Sequence, residues 1–202
     1  MACTALTKGR GLTCDRIAGG IKYIYFGVYE DFDANATTGE VLGTGIVRSA
    51  GEITDIEMGG GKGLYRYALP RGESSLTETI VGSTEAGTIY YTPQITMKLN
   101  QLTTADQNQV KLLAKTKLVI FAQLNQQLAN GNDVILCMGA ENGMRLNSGT
   151  NVSGAAYADH NGYSLTFDGM EEEPMSTVAD YQSPGVPFDN VAFDIPLGIV
   201  IS

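Results

Sequence analysis

The chain has no tryptophan, one histidine and three cysteines among its 202 residues. Cys3, Cys14 and Cys137 include no Cys-x-x-Cys pair, which argues against a zinc site or a disulfide framework and favours reduced thiols. His160 follows Asp159, but no Gly-x-Ser-x-Gly motif accompanies them, and Asp-His-Asn-Gly is an ordinary turn composition. We therefore predict a turn at His160, no catalytic residue, no metal site, no cofactor and no enzymatic activity.

The chain is also short of charge. Charged residues make up only 17% of it, compared with about 25% in typical soluble proteins. The net charge is −9, of which −8 falls in residues 139–202, where nine acids accompany one base. A general nucleic-acid binder would be basic, so we do not expect tight phosphate binding, whereas an acidic wall that DNA slides past without adhering is still compatible with this charge. Residues 171–173 are three glutamates without a calcium-loop pattern, which predicts a solvated acidic corner.

Long apolar runs are absent. No run approaches the ~20 residues that span a bilayer, and residues 1–14 lack the apolar segment of a signal peptide. We expect a protein made in a reducing cytoplasm, with no membrane binding by this subunit. Residues 59–63 are rich in glycine and include Lys62, but a strand pattern follows them where a phosphate-binding loop requires Ser/Thr and a helix. A flexible loop is predicted there.

One helix signal stands out, over residues 103–115. Thr103 is a good N-cap residue, and Asp106 places an acid three residues later, as in a capping box. Lys111 and Lys115 lie near the other end, where cations favour the helix dipole. The pattern then changes to β-branched and aromatic residues over 117–123, which predicts a strand.

The remaining pattern is mainly β. Predicted strands cover residues 21–29, 41–47, 52–58, 64–69, 74–81, 88–99, 117–123, 134–138 and 163–167. Ile21, Tyr23 and Tyr25 alternate with Ile24 and Phe26, so both faces of the first strand are apolar, which predicts burial on both sides or a subunit interface.

The chain divides into three parts in this prediction. Residues 1–20 form an irregular N-terminal arm, residues 21–175 a β-sandwich or barrel with one flanking helix, and residues 176–202 an extended C-terminal arm. The apolar end of that arm, residues 197–201, must be covered, either by an edge of its own sheet or by an edge of a neighbour's sheet. The strands predicted within residues 64–99 are expected to form long antiparallel ribbons.

The residues leave several functions open. Low charge, β ribbons and a single helix favour a self-assembling structural protein over an enzyme. Alternating tyrosines could instead form a carbohydrate-binding platform, although such residues more often pack in a core or an interface. They are Tyr23, Tyr25, Tyr65, Tyr67, Tyr90 and Tyr91.

Several segments resemble virion proteins of tailed bacteriophages, notably those that infect Bacteroidetes. They are residues 2–14, 19–26, 74–79, 99–114, 141–144, 148–150 and 162–171. Together they resemble a tail tube protein, although the proline-rich segment after Ser176 departs from the shorter ending of that family. The resemblance implies a β-sandwich or barrel with a helix at its side, with six copies in a ring and rings stacked into a hollow virion tail tube that conducts the genome.

On this hypothesis the subunit assembles in the host cytoplasm, with itself and with other tail proteins (sheath or terminator, baseplate, tape measure) as partners. DNA is expected only as non-specific cargo that passes through the tube. The residues predicted to form the inter-subunit or lumen ribbon are Tyr65, Tyr67, Ser74, Ser75, Thr77, Thr79, Thr88 and Tyr90. The residues predicted to contact the adjacent ring are Lys8, Arg10, Gly60, Gly61, Lys62, Ile199, Val200 and Ile201. A head–tail connector, a capsid decoration protein and the tube of an injection machine are alternatives in the same class.

Overall fold

The computed structural model describes residues 18–32, 40–42, 45–83, 85, 87–179, 181 and 186–201. The strands are β1 (Ile21–Val28), β2 (Glu40–Leu42), β3 (Ile46–Ser49), β4 (Glu52–Glu57), β5 (Leu64–Ala68), β6 (Ser75–Ser83), β7 (Thr88–Asn100), β8 (Leu118–Gln127), β9 (Asp133–Met138), β10 (Arg145–Val152), β11 (Gly162–Asp168), β12 (Ser176–Val178), β13 (Phe193–Asp194) and β14 (Ile199–Val200). One α-helix, α1 (Thr104–Leu113), and a 3₁₀ turn (Tyr29–Asp31) complete the described elements.

The strands form two sheets. The large sheet has the order β14-β5-β1-β8-β9-β12-β4-β3-β2, with β13 also paired to β4, and the small sheet has the order β10-β11-β7-β6. The two sheets pack face to face, and α1 lies at their side. This arrangement confirms the prediction of a mainly β protein, a sandwich with one flanking helix.

The central strands of the large sheet are buried on both faces. Ile24 and Phe26 of β1 face the small sheet across a cluster that we call the sandwich core. Tyr25 points to the opposite face, into a second core. The prediction that both faces of this strand are buried is therefore confirmed. Ile21, predicted to share a face with Tyr25, lies instead in the sandwich core, because the β1–β8 register shifts after it.

The second core is closed by the C-terminal segment. The ring of Phe188 packs edge-on against both Tyr25 and Phe121, with centroids 5.2 Å apart in each case. β12 inserts between β9 and β4, and β14 runs parallel to β5 with Ile199 opposite Leu64. The segment predicted as an extended arm therefore covers an edge of its own sheet within the described residues.

Two strand predictions differ from the structure. Residues 41–47, predicted as one strand, are split between β2 and β3, which pair with each other as a hairpin. β5 and β6 flank a turn but do not pair: β5 lies in the large sheet and β6 in the small one. The reason is side-chain burial, since Leu64 packs in the second core and Tyr67 packs edge-on against Phe26, so both faces of β5 have apolar partners.

A buried polar network ties three neighbouring strands together. Lys22 Nζ donates to both oxygens of the Asp133 carboxylate, at 2.6 and 2.7 Å. Gln123 Nε2 donates to Asp133 at 2.8 Å, and Gln123 Oε1 accepts from the Tyr25 hydroxyl at 2.7 Å. Since these residues belong to β1, β8 and β9, the network fixes the register of those strands, because a slip of one residue would leave buried polar groups unpaired.

The predicted helix start is confirmed. Thr103 Oγ1 accepts from the Asp106 N–H at 3.0 Å and donates to the Asp106 carboxylate at 2.6 Å. Leu113, at the far end, is buried in the sandwich core. Within the described ranges no helix has the length and apolar character needed to cross a bilayer.

Replacing Thr103 tests the contribution of the N-cap to the stability of the fold. Thr103→Ala removes the acceptor for the Asp106 N–H and should lower the free energy of unfolding by about 1 kcal/mol, a fall in Tm of about 2–4 °C for a domain of this size. Thr104→Ala changes the same residue type one position later, where no cap bond is made, and is the matched control. Thermal unfolding followed by circular dichroism measures both; equal losses for the two variants would contradict the cap.

Candidate assembly surface

The small sheet has two exposed edges. Its outermost strands are β6 and β10, and most side chains of both are exposed. These strands are nine and eight residues long, whereas the strands at the edges of the large sheet, β14 and β2, have two and three residues. Long, exposed edge strands are templates for pairing with another chain, so this sheet is the candidate assembly surface.

The hydrogen-bonding direction of β6 follows from its neighbour. Tyr91 of β7 exchanges both of its backbone hydrogen bonds with Glu171, at 2.8 and 2.9 Å, on the side away from β6. Pairs of facing residues alternate between bonded and non-bonded in antiparallel sheets, so the N–H and C=O of Ile80, opposite Tyr91, point away from β7. The same holds for every second residue of β6, and the strand presents a row of outward donors and acceptors.

β10 presents a second row by the same reasoning. The Gln101 N–H donates to the Asn161 carbonyl at 2.9 Å, which makes these two residues a bonded pair at the end of the β7–β11 ladder. In steps of two from Asn161, Tyr163 and Leu165 are also bonded to β7, so Ser164, which lies between them, directs its backbone groups toward β10. Gly149 and Asn151 flank the partner of Ser164 on β10, so their backbone groups point to the free edge.

The outer face of the small sheet is rich in hydroxyl groups and poor in charge. Ile95 and Met97 point into the sandwich core, so the residues that alternate with them point outward. The outward side chains are Ser75, Thr77, Thr79, Val81, Thr88, Tyr90, Thr92, Gln94, Thr96, Lys98, Arg145, Ser148, Thr150, Val152, Ser164, Thr166 and Asp168. Arg145 lies opposite Asp168, and Lys98 lies 3.6 Å from the Glu73 carboxylate. The face is therefore polar, with its charges compensated.

The residues predicted for the ribbon are divided between the sheets. Ser75, Thr77, Thr79, Thr88 and Tyr90 share the outer face of the small sheet. Tyr65 and Tyr67 lie on β5 of the large sheet, beside α1. Ser74 precedes β6 and is buried, where its hydroxyl accepts from the Lys98 N–H at 3.3 Å. The alternation of exposed threonines identified this face, but the pairing of β5 could not be read from the local pattern.

The glycine-rich loop at residues 59–63, predicted to contact an adjacent ring, is anchored by an ion pair. Gly60 and Gly61 are exposed, and Lys62 forms an ion pair with Asp31 at 2.9 Å. The hydrogen bond to Asp31, and to a lesser extent the opposite charge of Asp31, raises the pKa of Lys62. Lys8 and Arg10, predicted for the same contact, lie outside the described residues.

Two of the three C-terminal residues predicted for that contact already pair with a strand of their own chain. Ile199 and Val200 form β14 and pair with Leu64 and Tyr65 of the same chain. Ile201, the next residue, is 60% exposed. The edge covered by this apolar end therefore belongs to its own sheet.

The acidic corner predicted at residues 171–173 is wrong for its first member. Glu171 is buried at 7% exposure, and its carboxylate accepts from the N–H groups of Glu141 and Asn142 at 2.9 and 3.2 Å. Burial, and to a lesser extent repulsion from Glu141, raises the pKa of Glu171. Glu141 in turn accepts from the Glu172 N–H at 2.9 Å, so the two carboxylates lock together the segments that precede β10 and follow β11. No local sequence pattern indicates this lock, because the backbone N–H groups that Glu171 binds lie about 30 residues before it in the chain.

Of the cysteines and the histidine noted in the sequence, Cys137 lies in the second core and His160 lies in a connection between strands. Cys137 is buried in the second core, and burial raises the pKa of its thiol. His160 lies in the connection between β10 and β11, as the turn prediction expects, and the carboxylate of Asp159 accepts from the N–H groups of Ala155 and Ala156 at 2.9 and 2.8 Å. Asp159 therefore stabilises the turn. Cys3 and Cys14 lie outside the described residues.

The alternating tyrosines do not share one surface. Tyr25 is fully buried, and Tyr67 packs against Phe26 with ring centroids 5.1 Å apart. Tyr90 lies on the small sheet, whereas Tyr65 lies on the large one. The rings of Tyr23 and Tyr25 lie with centroids 6.5 Å apart, but the six tyrosines are divided between two sheets and do not form one platform.

Comparison with known proteins adds no assignment. No family model matches the chain, and neither a curated protein nor a solved structure matches it. In the part of the chain that the structure describes, no group of three or more His, Cys, Asp or Glu side chains is arranged to hold a metal ion. The small sheet, with its two edges and its polar face, remains the surface from which a function can be argued.

The raised pKa of Glu171 predicts a pH dependence. A carboxyl group whose pKa is higher in the folded state than in the unfolded state contributes stability below its unfolded pKa, near 4.3 for glutamate, and this contribution is lost as the pH rises through the folded pKa. The free energy of unfolding of the wild type, relative to Glu171→Gln, should therefore fall as the pH rises above about 4.3. Urea unfolding at several pH values measures this difference.

Glu172→Gln removes the same charge from an exposed neighbour and controls for the change in net charge. If the two variants show the same pH dependence, the effect does not come from the buried carboxylate.

Proposed function

We propose that this protein is the subunit of a bacteriophage tail tube, which assembles into rings that stack around a central channel. The observation that carries the proposal is the pair of edges, β6 and β10, on opposite sides of one four-stranded sheet, neither of which pairs with a further strand among the described residues. A chain with one such edge on each side can join its copies head to tail, and such a contact closes into a ring or grows into a filament.

The strand directions support closure. β6 runs antiparallel to β7, β7 to β11 and β11 to β10, so β6 and β10 run in opposite directions. A rotation about an axis along the strands keeps each direction, so β10 of one copy meets β6 of the next as an antiparallel pair. The small sheets of neighbouring copies then continue as one antiparallel wall, and closure removes both edges.

The width of the sheet supports a channel for DNA. Four strands at about 4.8 Å spacing give each copy about 19 Å of wall, so six copies give a circumference of about 115 Å and a backbone diameter of about 37 Å. Such a bore admits a DNA duplex with room for side chains. Three copies would give a diameter of only about 18 Å, which is too narrow. The number six comes from the family resemblance, and the width of the sheet adds only that a ring of very few copies would be too narrow for a duplex.

The composition of the outer face supports its role as the channel lining. Its side chains are mainly serine and threonine hydroxyls, and its charged residues have neighbours of opposite sign. Because phosphate contacts by lysine and arginine dominate the affinity for DNA, a wall with few free cations would let a duplex pass without adhering to it. The overall charge of −9 has the same effect.

A proline substitution on the exposed edge of β10 tests the proposal. Asn151 directs its N–H to the free edge of β10, so Asn151→Pro removes a donor that the subunit does not use internally. The variant should fold but assemble at a concentration at least tenfold higher than the wild type. Asn151→Ala keeps the N–H and should assemble normally. Negative-stain microscopy and light scattering after size exclusion measure rings and mass.

The outcomes separate the possibilities. Annular particles from the wild type and from Asn151→Ala, with loss in Asn151→Pro, support the proposal. A wild type that stays a monomer or stops at a dimer at high concentration contradicts it. Equal assembly of all three proteins contradicts pairing through β10.

A further inference from the structure

The connection between β10 and β11, residues 153–161, presents an aromatic side chain to solvent. Tyr157 has a relative exposure of 112%, more than any other exposed large apolar side chain of the described chain. Single exposed apolar residues are common on protein surfaces, so exposure alone does not indicate a contact. Tyrosine is nevertheless one of the residues that contribute most to protein interfaces. The turn that carries Tyr157, and its place in the small sheet, decide what this ring can meet.

The turn around Tyr157 is tightly closed. The Asp159 carboxylate accepts from the N–H groups of Ala155 and Ala156 at 2.9 and 2.8 Å, and the Asp159 N–H donates to the Ala156 carbonyl at 3.1 Å. Gly154 has a φ of 71°, and a Cβ atom there would lie 2.8 Å from the Asp159 Cβ. The two sides of the turn are therefore in contact, and a turn that is already ordered loses little conformational entropy when its tip binds.

The strand directions bring this turn close to the β5–β6 turn of the next copy. Because β6 and β10 run in opposite directions, β10 ends where β6 begins, at one end of the small sheet. If β10 pairs with β6 of the next copy along most of their eight and nine residues, Val152 lies near Ser75 of that copy. Tyr157 is five residues after Val152, and Arg71 is four residues before Ser75, so the two turns extend to a similar depth beyond the paired strands.

The two turns of one subunit are kept apart by the sheet itself. β7 and β11 lie between β6 and β10, so the outer strands are three spacings, or about 14 Å, apart. In the continued sheet, β10 and β6 of the next copy are only one spacing apart, about 4.8 Å. The nearest β5–β6 turn to Tyr157 in a ring therefore belongs to the neighbouring copy.

The chemistry of the two turns is complementary. The β5–β6 turn, residues 69–74, carries exposed Arg71, and its one acid, Glu73, lies 3.6 Å from the Lys98 ammonium group. The turn at residues 153–161 contains Asp159 and no lysine or arginine. A guanidinium group is attracted to the face of a tyrosine ring, and the opposite charges of Arg71 and Asp159 favour the approach of the two turns.

We propose that Tyr157 of one copy stacks on Arg71 of the next copy and fixes the register in which β10 pairs with β6. The inference rests on the proposed function, because the edge pairing is what brings the two turns together. Strands that are polar on their exposed faces specify their register weakly. A side-chain contact beyond the end of the ladder specifies which residues of the two edges lie opposite each other.

A double-mutant cycle tests the contact by its effect on assembly. Tyr157→Ala and Arg71→Ala should each raise the protein concentration at which rings form by about fivefold, and the double variant should raise it no further than either single variant. Val191→Ala truncates another exposed apolar side chain, at 95%, which precedes β13 and lies in neither turn. This control should assemble like the wild type. Light scattering and negative-stain microscopy measure assembly, and circular dichroism checks folding.

Disulfide trapping tests the position of the two turns directly. In a Cys3→Ser, Cys14→Ser background, Tyr157→Cys protein is mixed with Arg71→Cys protein and oxidised. The heterodimer, identified by its intact mass, should form in about tenfold greater yield than with Glu85→Cys protein, because disulfides require Cα atoms within about 7 Å. Glu85 is the matched control, since it is exposed in the turn at the opposite end of β6.

The results separate this inference from the proposed function. Rings whose formation is unaffected by the two substitutions, or affected additively, overturn the stacking and leave the tube subunit standing. The specific heterodimer without annular particles supports the contact and contradicts the tube. Equal or preferred trapping through Glu85 overturns the contact. A disulfide within one chain of the Tyr157→Cys, Arg71→Cys double variant at low concentration overturns the second copy as the partner.

Discussion

The fold depends on the burial of the large sheet on both faces. Successive residues of its central strands point into different cores: Ile24 and Phe26 contact the small sheet, whereas Tyr25 and Phe121 contact the C-terminal segment. Each face must therefore be covered by another part of the chain. The small sheet and α1 cover one face, and the segments that contain β12, β13 and β14 cover the other. The Lys22–Asp133 network then fixes which residues of β1 and β9 lie side by side.

This constraint explains why the two sheets end so differently. The large sheet packs one face on the second core and ends in strands of two and three residues, which expose few backbone groups. The small sheet covers only the sandwich core, and its ribbons continue past it with both edges exposed. The short edges and the long exposed edges therefore belong to different sheets. The proposed assembly through the small sheet would leave the large sheet and its cores unchanged.

The carboxylates show how burial changes the meaning of a sequence pattern. Three consecutive glutamates indicate a solvated corner, yet Glu171 turns inward and holds two backbone N–H groups while its neighbour Glu172 remains exposed. Burial removes the carboxylate from water and raises its pKa, because the two hydrogen bonds do not fully offset the loss of hydration. No local pattern could have indicated this, because the partners of Glu171 precede it by about 30 residues.

The sequence by itself determined the features that depend on neighbours along the chain. These are the capped start of α1, the apolar alternation of β1, the β6–β7 hairpin and its row of exposed threonines. Only the tertiary structure decided the pairing of β5 with β1, the return of the C-terminal residues onto their own sheet, and the burial of Glu171. Strand propensity and alternation state that a segment is extended and which face is apolar, but they do not name its partner. The partner is chosen by long-range packing, as the contact of Tyr67 with Phe26 illustrates.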